Sequence, residues 1–207
     1  MQQSGCVSKR AAWAFCGVLL LVAASISASA EDVDVSANVR SGGIDSQQHE
    51  QAGSRIHRSR ALGLVDASVD QVTDVILDYA NYREFMPNFV TSRVLSQRGS
   101  KALVYMQASA LAGLSTLWAE MQLSMRILSA STRVVSARML RGNLKNFQAE
   151  WHVTPFDASH SLVAFELCAD PDFQLPFASG LVSDYNEKEA VASIVGLRQY
   201  LARSRAR

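Results

Sequence analysis

Residues 116–127 read TLWAEMQLSMRI, and apolar side chains occupy every second position of this stretch. Leu117, Met121 and Met125 therefore fall on one face of an extended chain, and Glu120 and Arg126 fall on the other. This alternation is typical of a strand in an antiparallel sheet that is covered on one side only. The stretch predicts a sheet with one apolar face and one mixed face.

The same alternation continues along the middle of the chain. Residues 147–154 and 162–169 repeat it. Short turn-forming stretches separate the runs, at residues 98–100, 129–131, 141–143 and 157–160. We therefore predict six strands between Val90 and Asp170 and a first strand at 61–67, which makes about seven strands in all.

Two short helices are predicted after the first strand. Ser68 and Gln71 have the spacing of a capping box, so a helix is expected to begin after Ser68. Apolar residues then recur at helical spacing as far as Tyr79. A second helical turn is expected from Tyr82 and ends at Pro87, because proline cannot continue a helix.

A long helix is predicted at the C-terminal end of the chain. Beyond Pro176 the apolar residues follow a helical period, at Leu181, Val182, Tyr185, Val191, Ile194, Val195, Leu197 and Leu201. A sheet with one apolar face buries that face most economically against such a helix. The predicted fold class is α+β, with a curved antiparallel sheet wrapped on the long helix.

Composition and charge exclude some classes of protein. The chain has 207 residues, of which 48% are hydrophobic and 19% are charged, as in ordinary globular proteins. Twenty Lys and Arg residues nearly balance nineteen Asp and Glu residues, so the formal net charge is +1. A nucleic-acid-binding protein usually carries a concentrated basic face. We therefore predict no nucleic-acid partner.

Residues 1–30 have the order of a secretory signal peptide. Lys9 and Arg10 precede the uncharged run 11–24, and small residues lead up to Ala30, where cleavage is expected. The apolar run is shorter than the roughly 20 residues that span a bilayer. An uncleaved N-terminal anchor is the alternative. Export predicts a periplasmic or secreted protein.

Residues 31–58 are expected to form a flexible linker ahead of a domain at 59–207. They hold scattered apolar residues among Ser, Gly, Gln and charges, too few to offset the entropy of ordering them. Three Arg and one His lie within residues 55–60. Such a cluster is consistent with transient contact with anionic lipid headgroups, although a solvated linker is the simpler interpretation.

No catalytic residue, cofactor or metal site is predicted. The sequence has no phosphate-binding glycine loop and no HExxH, GxSxG or paired-cysteine motif. The four histidines are scattered, at His49, His57, His152 and His160. No local spacing brings them to one metal ion. Asp170 and Asp172 flank a proline, as turn residues do. Cys168 is expected to be a buried, unreactive thiol.

Residues 77–87, LDYANYREFMP, carry a family resemblance. A helix ending at Asp78, followed by Tyr82 and then by Phe-Met-Pro at 85–87, resembles the START-like superfamily. Within it, the segment is most similar to the polyketide cyclase/dehydrase and lipid transport group, which includes coenzyme Q-binding proteins. The likeness covers residues 61–207. It implies a helix-grip fold in which the sheet and the C-terminal helix enclose a hydrophobic pocket.

The inward positions of the predicted elements supply the candidate pocket lining. The residues are apolar or aromatic, and three tyrosines would add hydroxyl groups for a ligand's head. They are Tyr79, Tyr82, Phe85, Met86, Met106, Met121, Met125, Trp151, Phe165, Leu181 and Tyr185. Methionine adapts to irregular apolar shapes, which suits a ligand site. The same residues would also suit a packed core.

The main functional hypothesis is an exported protein that binds or transports a hydrophobic small molecule, such as a lipid, quinone or isoprenoid; whether it also catalyses a reaction is left open. One alternative is an enzyme of the cyclase/dehydrase kind, for which Arg133 would have to lie in the cavity beside Tyr105 or an aspartate. Another is a protein-interaction module that uses the outer face of the sheet, with Trp118 and Tyr105 as anchors. The oligomeric state is left open.

Overall fold

The computed structural model describes residues 35–51, 53–110, 113, 115–129, 131–171 and 179–206. The predicted signal peptide at 1–30 lies outside them. The helices are α1 (Ala37–Arg40), α2 (Val69–Leu77) and α3 (Ser179–Arg205), with a 3-10 helix at Tyr79–Glu84. The strands are β1 (Ile44–His49), β2 (Arg58–Val65), β3 (Phe89–Arg98), β4 (Lys101–Ala110), β5 (Ser115–Ile127), β6 (Arg133–Gly142), β7 (Leu144–Pro155) and β8 (Ser161–Pro171).

The eight strands form one antiparallel sheet in the order β1-β2-β8-β7-β6-β5-β4-β3. The six strands predicted between Val90 and Asp170 are confirmed as β3 to β8. The predicted first strand is β2. The sheet curves, and the pairings of β3 with β4, β5 with β6, and β7 with β8 contain register shifts, which bend a sheet locally.

The start of α2 follows the predicted capping box. The Ser68 hydroxyl accepts a hydrogen bond from the Gln71 amide, and the Gln71 side chain accepts one from the Ser68 amide. These two bonds satisfy backbone donors that the first turn of a helix leaves unpaired. The 3-10 helix follows directly, and its Tyr82 hydroxyl donates to the carbonyl oxygen of Ile76 at 2.7 Å.

Helix α3 packs on the concave, apolar face of the sheet. Its buried residues recur every three or four positions, at Ser183, Asn186, Ala190, Ser193, Ile194, Leu197 and Leu201. The sheet contributes Val104, Met121, Leu123, Trp151 and Phe165 to the same core. This arrangement is the predicted α+β helix-grip fold, with an eighth strand at one edge.

That additional strand corrects the prediction for residues 31–58. Residues 44–49 are β1, which pairs with β2 over six residues, and residues 37–40 form α1. The prediction failed because the stretch was assessed alone. Its few apolar residues have a partner surface: Val35 and Val39 are buried against outward-facing apolar residues of β2 and β8, namely Leu62, Leu64 and Leu162.

Arg198 of α3 joins this N-terminal hairpin to the rest of the domain. Its guanidinium donates to the carbonyl oxygens of Leu64, Gly42 and Gly43, at 2.7, 2.9 and 3.2 Å. Partial burial lowers the pKa of Arg198. One side chain thus ties α3 to β2 and to the turn before β1.

Candidate functional site

A cavity of about 100 Å³ lies between α3 and the inner face of the sheet. Strands β4, β5, β7 and β8 line one side of it, and α3 together with the turn at 86–89 lines the other. The apolar lining residues are Met86, Pro87, Phe89, Met106, Ala108, Leu117, Trp118, Ala119, Met121, Leu144, Phe147, Phe165, Leu167 and Ala169. The cavity is therefore predominantly apolar, as ligand sites usually are.

Small side chains account for part of this space. Ala108, Ala119 and Ala169 hold lining positions on β4, β5 and β8. Met106 is the cross-strand partner of Ala119, so a long and a short side chain stand next to each other. A larger residue at any of the three alanines would occupy volume that is now empty.

Polar groups meet at one end of the cavity, where the turn at 86–89 faces α3. Asn88 donates from its side-chain amide to the Glu189 carboxylate at 2.8 Å. Tyr185 lies one helical turn before Glu189, and its hydroxyl interacts electrostatically with the same carboxylate and with Asn88. The three side chains form a polar cluster, Asn88–Tyr185–Glu189, that links the turn to the helix.

The backbone at Asn88 explains why asparagine suits this place. Asn88 has a φ of 60°, in the left-handed region that asparagine tolerates better than most residues. Its carbonyl oxygen accepts a hydrogen bond from the Ser109 amide at 2.8 Å, which holds the turn against β4. The amide side chain is thereby directed toward Glu189.

Burial changes the acidity of both ionisable members of the cluster. Desolvation raises the pKa of Glu189, although hydrogen bonds from Asn88 and Tyr185 oppose the change. Desolvation also raises the pKa of Tyr185 to about 12, so its hydroxyl stays protonated and can donate. The cluster is a hydrogen-bonding site that combines one carboxyl group, one amide and one phenol hydroxyl.

Five of the predicted pocket residues line the cavity: Met86, Met106, Met121, Phe165 and Tyr185. Four others, Tyr79, Tyr82, Phe85 and Trp151, are buried in the core around it. Met125 also packs against that core rather than on the cavity. Tyr82 was predicted to offer its hydroxyl to a ligand's head group. That hydroxyl donates to the Ile76 carbonyl oxygen instead, so it does not face a ligand.

Leu181 is placed differently from the prediction. Its side chain is 69% exposed. It lies two residues before Ser183, where the buried stripe of α3 begins, and two residues along a helix turn a side chain to nearly the opposite face. The apolar period alone does not show where along the helix the contact with the sheet starts.

Asn88 and Glu189 were missed from sequence. Glu189 is charged, and charged residues on an amphipathic helix are assigned to the solvent side by default. One signal was available: Tyr185 and Glu189 are four residues apart, so they share a face of α3. Asn88 gave no comparable signal, because its role depends on the turn that follows Pro87.

Two residues of the alternative hypotheses, Arg133 and Tyr105, lie away from the cavity, whereas Trp118 is among its lining residues. Arg133 faces α2, where its guanidinium lies 3.6 Å from the Asp70 carboxylate. Tyr105 stacks near Trp118, with ring centroids 6.3 Å apart, and Arg93 lies over the Tyr105 ring. Arg133 and Tyr105 are therefore on different surfaces, and neither is among the described residues that line the cavity.

The described residues hold no cluster of three or more His, Cys, Asp or Glu side chains that could bind a metal ion. Cys168 is fully buried, and burial raises the pKa of its thiol. No helix within the described ranges is both long and apolar enough to cross a membrane.

Solved structures share this fold. A STAR-related lipid transfer protein from Xanthomonas axonopodis is 21% identical and has a TM-score of 0.68, over 77% of this chain and 94% of that one. Human StAR-related lipid transfer protein 5 is 11% identical with a TM-score of 0.68, over 79% and 84% of the two chains. The Zhui aromatase/cyclase from a Streptomyces strain is 14% identical with a TM-score of 0.59, over 79% and 96%.

Sequence comparison gives the family. A search of curated proteins found no match. The family model described as "Polyketide cyclase / dehydrase and lipid transport" matches residues 65–190, from the end of β2 into the middle of α3. The match spans more than half of the chain and includes the 77–87 segment on which the resemblance rested. The chain therefore belongs to the polyketide cyclase/dehydrase and lipid transport family and has its START-like fold.

Proposed function

We propose that this protein binds or transports a hydrophobic small molecule, such as a lipid, quinone or isoprenoid, in the cavity between the sheet and α3. The observation that carries the proposal is the lining: fourteen apolar residues surround the space, and the polar side chains include one hydrogen-bonded cluster at one end. Burying apolar ligand surface contributes about 25 cal/mol per Å². A few hundred Å² of contact would give useful affinity.

The size of the cavity indicates how binding proceeds. A volume of about 100 Å³ is below the roughly 300–1,000 Å³ of common ligand sites and below an engineered cavity of about 150 Å³ that holds benzene. A lipid-sized ligand therefore requires the walls to separate. The apparent affinity is then reduced by the fraction of molecules in the open state.

The turn at 86–89 and α3 are the walls that we expect to move. They belong to different elements and are joined across the cavity by side-chain contacts, chiefly Asn88 to Glu189. The sheet wall, by contrast, is held by continuous backbone ladders between β4 and β5 and between β7 and β8. Separating the turn from the helix breaks few hydrogen bonds.

We also propose that the protein is exported. The support is the order of residues 1–30, with a basic start, an uncharged apolar run and small residues before Glu31. N-terminal sequencing of the protein recovered from the periplasm or medium of an expressing bacterium tests this. We expect Glu31 as the first residue. Recovery of the intact N-terminus in the cytosol would contradict export.

The binding proposal is tested on the purified chain from residue 31 onward. Native mass spectra are recorded before and after organic extraction, and the extracted protein is titrated with the neutral fluorescent probe N-phenyl-1-naphthylamine. We expect a bound apolar molecule before extraction and saturable probe binding after it.

A cavity-filling variant gives the matched control. Ala119→Leu adds bulk inside the cavity and should weaken probe binding at least about tenfold. Leu123→Met, on the same strand in the core but outside the cavity lining, conserves volume and should bind the probe as the original chain does. Folded protein without bound molecules and without probe binding would overturn the proposal.

A further inference from the structure

Glu189 and its two partners bear on the chemical class of the ligand. Resting on the proposed binding function, we infer that the ligand is a neutral apolar molecule with a hydroxyl group that donates to the Glu189 carboxylate, and that the cavity discriminates against anionic amphiphiles such as fatty acids. Glu189 is thus a specificity-determining residue.

The first argument is the placement of the hydrogen-bonding groups. Asn88, Tyr185 and Glu189 all line the cavity and contact one another at its polar end. Three further polar residues line the cavity. Asn186 donates to the carbonyl oxygen of Ala169, Ser193 donates to that of Glu189, and Ser109 has a neutral hydroxyl group. The carboxylate of Glu189 is therefore the strongest acceptor available to a ligand here.

The second argument is charge. No Lys, Arg or His is among the described residues that line the cavity. Glu189 is in no ion pair with a basic side chain within the part of the chain that the structure describes. A carboxylate or phosphate on the ligand would lose its water shell, find no cation and face a like charge.

The third argument is the match between donors and acceptors. A hydroxyl gives up few interactions with water and gains a charge-assisted hydrogen bond, which is stronger than a bond between neutral groups. A ligand of the same shape without a donor would leave part of a half-buried carboxylate desolvated and unpaired, which is costly. The polar end therefore favours alcohols or phenols over both acids and ethers.

The test uses three ligands of ten carbon atoms each: 1-decanol, its isomer methyl nonyl ether, and decanoate. Each displaces N-phenyl-1-naphthylamine from the extracted protein at about pH 8, well above the ordinary pKa of a carboxyl group. We expect decanol to bind at least about tenfold more tightly than the ether, which lacks only the donor. This comparison needs no variant, so it does not depend on the folding of a mutant.

Decanoate binds any apolar cavity less well than decanol does. Two substitutions therefore test whether the charge of Glu189 contributes to this difference in affinity. Glu189→Gln removes the like charge and should tighten decanoate binding at least about tenfold. It should also weaken decanol binding, because the charge-assisted hydrogen bond becomes a bond between neutral groups. Glu187→Gln is the matched control: Glu187 lies two residues away on α3 but bonds to Ser46 and Gln48, outside the cavity. It should change neither affinity.

The outcomes are distinct. If the ether binds within about threefold of decanol, or if Glu189→Gln leaves decanoate binding unchanged, the inferred ligand class is wrong although the binding function stands. If the folded chain binds neither the probe nor any of the three ligands, the proposed function itself fails.

Discussion

Gly196 of α3 lies directly against the carbonyl oxygen of Phe85, and a Cβ atom at position 196 would overlap that oxygen. Phe85 precedes the turn that lines the cavity, so this contact sets how closely the turn approaches the helix. A glycine in the middle of a helix costs about 1 kcal/mol relative to alanine. Here it permits an approach that any side chain would prevent.

The first prediction concerns this contact. Gly196→Ala should destabilise the domain by about 1–3 kcal/mol, because the displaced neighbour is backbone and cannot rotate away. Gly180→Ala is the control on the same helix, where an added Cβ meets nothing within 4 Å. It should be neutral or stabilising by up to about 1 kcal/mol. Urea unfolding measures both, and equal effects of the two substitutions would contradict the prediction.

The second prediction concerns Arg198. Arg198→Met keeps the apolar stem but removes donors to three carbonyl oxygens, at Leu64, Gly42 and Gly43. We expect a loss of about 1–3 kcal/mol and faster amide exchange in β1. Arg203→Met removes one exposed hydrogen bond to Glu84 and should cost less than about 0.5 kcal/mol. Unchanged exchange in β1 would show that Arg198 does not hold the hairpin.

The third prediction concerns the N-terminal boundary. A chain that begins at Ser59 loses β1 and α1 and exposes both the edge of β2 and the apolar residues Leu62, Leu64 and Leu162. We expect it to unfold at a lower temperature and to aggregate more than a chain that begins at Glu31, because unpaired apolar edge strands associate. Thermal unfolding with light scattering compares the two. If the two chains were equally stable, residues 31–58 would behave as the flexible linker that the sequence predicted.

The fourth prediction concerns pH and the turn between β7 and β8. His160 lies 2.8 Å from Asp157 through Nδ1 and 2.8 Å from Asp66 through Nε2. The hydrogen bond to Asp157 raises the pKa of His160, and hydrogen bonds from the Ser159 backbone and from His160 lower the pKa of Asp157 to about 2. An NMR titration should therefore place the His160 pKa above about 6.5.

The two groups affect stability in opposite senses. His160 contributes fully to the free energy of unfolding at a pH below its pKa in the unfolded chain. This contribution is lost as the pH rises through its higher pKa in the folded protein. Asp157 contributes fully to the free energy of unfolding at a pH above its pKa of about 3.8 in the unfolded chain. This contribution is lost as the pH falls toward its folded-state pKa of about 2. Asp157→Asn should lower the His160 pKa. Asp70→Asn, on α2 and paired with Arg133, should not.

Local patterns were enough to predict most of the elements. The capping residues Ser68 and Gln71 act as expected, and the alternation in residues 116–127 corresponds to β5. In half-buried strands and amphipathic helices, apolar residues recur with a period that is visible in the sequence. These elements can therefore be inferred without knowledge of the elements they pack against. The resemblance in residues 77–87 then indicated how the elements pack.

The N-terminal strand and the polar cluster could not be predicted in this way. Residues 44–49 look polar by themselves and are ordered by pairing with β2 and by the guanidinium of Arg198. Glu189 looks like a solvated helix residue, and only the approach of the Asn88 turn gives it a partner. Both depend on contacts between residues far apart in the chain.

The sequence by itself determined the periodicity of each element, the cap of α2 and the family, because these depend on neighbours within a few residues or on motif identity. Tertiary structure decided which apolar residues surround a space and which fill the core. Met121 lines the cavity and Met125 does not, although both lie on the inward face of β5. The position of α3 across the curved sheet makes that difference, and no local pattern encodes it.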